Sequence, residues 1–142
     1  MLVSLHIIAP LLIGGLIYVF FRSPEIILNK IVYSSDLLSE IFIRISPAIQ
    51  FPNWFIFSLP DGLYVYAATS FHIYMVSKVY NAYSIKNIFY ISFYSILVEF
   101  LQLINLIQGR FDFLDIIFMI SGSFISYHLF VKKNLFRLEL IK

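Results

Sequence analysis

Four stretches of this chain are each long and apolar enough to cross a lipid bilayer: Leu2 to Phe21, Gly62 to Val79, Ile88 to Ile107 and Phe113 to Val131. A hydrocarbon core of roughly 30 Å takes about 20 mostly apolar helical residues. Hydrocarbon offers no partner to a backbone N–H or C=O, so a crossing segment has to satisfy its own backbone, which a helix does internally. The expected fold is therefore an all-α membrane protein: four transmembrane helices in a single integral membrane domain over residues 1–142. Of the 142 residues 61% are apolar and 13% charged, roughly half the charged share of a soluble domain. Most of the surface must then face something other than water. The first stretch has no Lys or Arg before Arg22 and no small-x-small cleavage pattern. It reads as a retained span and not as a secretion signal.

The segment 22–60 between the first two spans has a different pattern. Ser23-Pro24-Glu25 is a helix start, with a capping hydroxyl, a proline at the first helical position and an acid in the first turn. Leu37, Leu38, Ile41, Phe42 and Ile45 then recur at helical spacing, with Asp36, Ser39, Glu40 and Arg44 between them. This predicts amphipathic interfacial helices over about residues 24–46, because Glu40 and Arg44 would be costly at the bilayer centre. Tyr33 and Trp54 suit the headgroup level. Lys78, Lys86, Lys132, Lys133, Arg137 and Lys142 fall on one side of such a topology, and Arg22, Lys30, Arg44 and Arg110 on the other. The positive-inside rule then places both termini in the cytoplasm.

Several function classes are excluded. The net charge is only +2, with no dense basic run, so nucleic acid is not an expected partner. Cysteine is absent, which removes disulfides, thiolate metal sites and a cysteine nucleophile. No glycine loop, metal-spaced histidine pair or hydrolase elbow occurs, and His6, His72 and His128 lie on three different spans. No cofactor or metal is expected.

One constellation concentrates polar chemistry. Ser92, Ser95, Glu99 and Gln102 share one face of the third span at spacings of three, four and three. A carboxylate there should turn inward, since lipid gives it no partner. The segment 108–115, a short turn into the fourth span, then brings Arg110, Asp112 and Asp115, and Pro60-Asp61-Gly62 at the start of the second span adds another acid on the same membrane face. Small residues of the fourth span, Gly122, Ser123 and Ser126, would allow close helix approach. Asp61 and Asp112 are equally explained as helix caps, and Ser92 and Ser95 as packing residues. The grouping predicts a binding cluster of Glu99, Gln102, Arg110, Asp112, Asp115 and Asp61. Within it, Arg110 would lie in salt-bridge reach of Glu99, Asp112 or Asp115.

Glu99-x-x-Gln102, Arg110-x-Asp112-x-x-Asp115 and Gly122 together resemble the signature of VanZ-like membrane proteins. The upstream segments Phe57-Ser58-Leu59-Pro60-Asp61-Gly62-Leu63-Tyr64 and Tyr18-Val19-Phe20-Phe21-Arg22-Ser23 are also similar to those of small VanZ-like proteins, so the resemblance runs from about residue 16 to 123. The chain departs from the pattern at Met119, where the family has Asn. The resemblance implies a polytopic bacterial inner-membrane protein related to the cell envelope, with no established reaction. The expected role is binding, by an extracytoplasmic cluster, of a headgroup, an envelope precursor or a neighbouring membrane protein subunit. One competing reading is an accessory subunit of a larger membrane complex. Another is an intramembrane enzyme on a lipid-linked substrate, with Glu99 or Asp115 as general base, although no nucleophile or metal site supports it.

Overall fold

A computed structural model describes residues 2–22, 51–80 and 89–132, and every regular element among them is helical. Helix α1 is Leu2–Phe21, α2 Asn53–Tyr80, α3 Tyr90–Leu103 and α4 Phe113–Tyr127, the last continued by a π-helical turn over His128–Lys132. The expected interfacial helices at 24–46 lie outside the described residues. Of the four expected spans, two are helical stretches long and apolar enough to cross a membrane, Ser4–Phe21 and Phe113–Val131; α2 is long but interrupted by polar side chains, and α3, at 14 residues, is too short.

The helix bounds depart from the expected spans at two places. α2 starts nine residues before Gly62, so Pro60 lies inside it and Asp61 does not cap it. Its first turn is instead anchored on Pro52, whose carbonyl accepts from the N–H groups of Phe55 and Ile56. α3 stops at Leu103 and not at Ile107, because Asn105 takes a left-handed conformation with φ of 57°. The Asn105 N–H bonds the Gln102 carbonyl at 3.0 Å and the Leu106 N–H bonds the Leu101 carbonyl at 2.9 Å. That pair of bonds is a Schellman ending, with asparagine in the position glycine usually takes. α4 is capped by Asp112, whose Oδ1 accepts from the Leu114 N–H at 2.9 Å.

Helix α2 is central, packed along α1 on one side and α4 on the other, while α3 touches mainly α4. The backbones of α2 and α4 meet at Gly62 and Gly122. A Cβ at Gly122 would overlap the Gly62 carbonyl oxygen, and one at Gly62 would lie 2.9 Å from the Phe118 carbonyl oxygen. Only glycine permits that approach. Above it runs a seam of hydroxyls. Thr69 pairs with Ser123 at 3.1 Å, Ser70 with Ser126 at 2.9 Å, and Ser92 of α3 with the same Ser123. At its far end, His6 Nδ1 of α1 lies 2.6 Å from the Tyr66 hydroxyl, with the imidazole edge-on to Phe130.

The interior is thus more polar than the exterior. Ser58, Thr69, Ser70, Ser123 and Ser126 are buried, whereas Leu5, Leu12, Leu16, Phe93, Phe113 and Phe124 are exposed. In water this arrangement would leave apolar patches far larger than a soluble monomer carries. In hydrocarbon it is the favourable one, since small polar residues join helices and long apolar ones face the chains.

Candidate functional site

Proline sets the geometry at one end of the bundle. Within α2, Pro60 has no N–H to return to the Ile56 carbonyl four residues earlier. Arg22, just beyond the end of α1, supplies the missing donors. Its Nε donates to the Ile56 carbonyl at 3.4 Å and its Nη2 to the Phe57 carbonyl at 2.6 Å. Nη2 also lies 3.5 Å from Asp61 Oδ2. The guanidinium is sandwiched by rings, 4.3 Å from the Tyr18 centroid and 5.5 Å from that of Phe57. A planar, multiply donating cation suits this set of acceptors, and cation–π contact holds its faces.

The opposing wall comes from α3, α4 and the turn between them. Glu99 is buried on α3, and its Oε2 accepts from the Asp112 N–H at 3.4 Å. Asp115 is buried in the first turn of α4, and its Oδ1 has no hydrogen-bond partner. The buried Ser58 hydroxyl lies beside that carboxyl without completing a hydrogen bond. Gln102 folds back over Gly109, whose φ of 153° and lack of a side chain make room for the amide.

Between these walls lies a cavity of about 660 Å³. All six residues of the expected cluster line it: Asp61, Glu99, Gln102, Arg110, Asp112 and Asp115. Its apolar lining includes Phe57, Val65, Val98 and Met119. Four carboxylates and two guanidinium groups therefore share one space, and no three of the described acids and histidines are grouped so as to hold a metal ion.

The expected ion pair of Arg110 is not formed. Arg110 is exposed, and among the described residues the ion pair at the cavity joins Arg22 to Asp61. α3 ends early and residues 103–110 are all exposed: Gly109 lies against the Gln102 side chain while Arg110 stays at the surface. In the sequence Arg22 falls at the start of the connecting segment 22–60, outside the expected cluster. The signal for its role was Pro60, which leaves a carbonyl in need of a donor wherever it falls inside a helix. Asp112 acts as the N-cap while also lining the cavity, and Ser92 is a packing residue.

No family model matches the chain, nor does any curated protein or solved structure.

Proposed function

We propose that this chain is a VanZ-like polytopic protein of a bacterial inner membrane, with four spans, cytoplasmic termini and an extracytoplasmic cavity that binds the polar headgroup of an envelope lipid or precursor. The observation that carries this reading is the cavity itself. Charged groups from three helices and a turn converge on it, in a bundle whose outer surface is apolar. Pockets lined by apolar walls with a few convergent polar groups are the usual form of a ligand site. Asp115 supports the same reading, since a buried carboxylate oxygen without a partner is costly unless a ligand or solvent reaches it. A span over α2 is supported by its 28 residues, which exceed the bilayer core, and by the burial of Ser58, Thr69, Ser70 and Ser77.

The full chain, purified in mild detergent, tests this by mass spectrometry of what it retains. Wild type should keep a lipid that Val98→Trp, which fills the cavity, releases. Equal retention by the two proteins would defeat the reading. A stoichiometric protein partner with no lipid would favour the accessory-subunit alternative. Orientation is tested separately with single cysteines at Ser35, Ser84 and Asn134 and an impermeant thiol reagent. Ser35→Cys should label in intact cells and the other two should not.

A further inference from the structure

We propose that the cavity selects a headgroup bearing a primary ammonium, received by the buried Asp115 carboxylate with Glu99 as the neighbouring negative charge. The inference rests on the headgroup-binding reading above and names the chemistry of the ligand.

Two independent observations lead to it. First, Asp115 is 7% exposed and lines the cavity, yet its Oδ1 accepts no hydrogen bond. The adjacent Ser58 Oγ, 1% exposed, is likewise unpartnered. Ser58 does not line the cavity, so the open acceptor there is Asp115, and a buried acceptor at a cavity wall calls for a donor-bearing ligand group. Second, the charges around the cavity do not balance locally. Arg22 is committed to Asp61 and to two carbonyls, and Asp112 is committed to capping α4. That leaves Glu99 and Asp115 facing one another's field, with no cation in salt-bridge contact among the described residues. A ligand cation would relieve both deficits at once, since charge-assisted hydrogen bonds to a carboxylate are stronger than neutral ones.

The type of cation also follows. A quaternary ammonium has no N–H to give Asp115 and is usually held by open aromatic faces. The Tyr18 and Phe57 rings are already covered by the Arg22 guanidinium, which leaves Tyr64 as the open ring on the wall, and one ring makes no aromatic cage. A primary ammonium needs acceptors, which Asp115 and Glu99 offer on this cavity wall. Arg110, exposed at the edge of the same cavity, is then placed for the phosphate of a phosphoethanolamine headgroup, for which its planar fork is suited.

The test uses the full chain in detergent micelles and measures binding of dioleoyl phosphatidylethanolamine, phosphatidylcholine and phosphatidylglycerol by native mass spectrometry. The ethanolamine lipid should bind about tenfold more tightly than either of the others, and Asp115→Asn should remove that margin. Soluble phosphoethanolamine forms a further arm. If it displaces the lipid at similar concentration, the ammonium specificity stands and the ligand's source is the soluble amine. Lipid retention that is blocked by Val98→Trp but shows no headgroup preference would overturn this inference and leave the cavity reading intact. Retention indifferent to both Val98→Trp and Asp115→Asn would overturn both. Because the headgroup comparison is made on the wild-type protein, it stands even where a variant folds poorly.

Discussion

Arg22 takes over the hydrogen-bonding role that Pro60 gives up: its Nε reaches the Ile56 carbonyl, which the ring nitrogen of residue 60 cannot. The same guanidinium bonds Phe57 and pairs with Asp61, so a single side chain fixes the end of α1 to the proline turn of α2. Arg22→Ala should therefore destabilise the protein by about 2–3 kcal/mol, as expected when a largely buried charged donor is lost. Arg22→Lys should be intermediate, because one ammonium cannot serve three acceptors in a plane. In the background of Pro60→Ala, where an N–H returns to Ile56, the cost of Arg22→Ala should fall by about 1 kcal/mol. Thermal unfolding in detergent of the four proteins of that cycle checks this, and strict additivity would refute the link between the two residues.

Gly122 and Gly15 should respond oppositely to the same substitution. A Cβ at Gly122 overlaps backbone of α2, so Gly122→Ala should cost about 1–3 kcal/mol or more. Nothing lies within 4 Å of a Cβ at Gly15, so Gly15→Ala should be neutral or stabilising by about 0.5–1 kcal/mol. The comparison of melting temperatures is direct, and equal effects would mean that α2 and α4 do not touch there.

Ser123 is the shared member of the hydroxyl seam, bonded both to Thr69 and to Ser92. Ser123→Ala should cost more than Ser126→Ala by about 0.5–1 kcal/mol, the usual worth of one interhelical hydrogen bond in a membrane protein. A larger loss for Ser126→Ala would place the organising hydroxyl elsewhere.

Asp112 and Arg110 are two residues apart and should differ in their importance for stability. Asp112→Ala removes the cap of α4 and should cost about 1 kcal/mol, with Asp112→Asn largely restoring it. Arg110→Ala should stay within about 0.5 kcal/mol of wild type, since the side chain is exposed and pairs with none of the three acids. A large destabilisation by Arg110→Ala would revive the expected ion pair.

The two apolar helices were legible because hydropathy reports directly on them. Leu2–Phe21 and the start of α4 at Phe113 fall where the sequence puts them. The convergence of Glu99, Gln102, Asp112 and Asp115 was legible too, from helical spacing and one reversal of the chain. The ends of α2 and α3 were not. Pro60-Asp61-Gly62 has the composition of a helix start, and only a tertiary donor, Arg22, lets the helix run through it. Asn105 ends α3 by adopting a left-handed conformation that asparagine tolerates but does not announce. Arg22 and Arg110 exchanged roles for the same reason: an ion pair depends on where backbone turns point, and sequence spacing does not encode that.

The shortness of α3 has its own outcome in a membrane. Fourteen residues rise about 21 Å, roughly 9 Å less than a typical hydrocarbon core. Under the proposed four-span topology, mismatch of that size would be relieved in part by thinning the adjacent leaflet. Leu103 at the helix end and Ile104, Leu106 and Ile107 beyond it, all exposed, would then rest among acyl chains on the turn that borders the cavity. Lipid beside α3 would be drawn down toward Glu99 and Asp115, so the bilayer itself would present headgroups to the site at a depth they do not reach elsewhere.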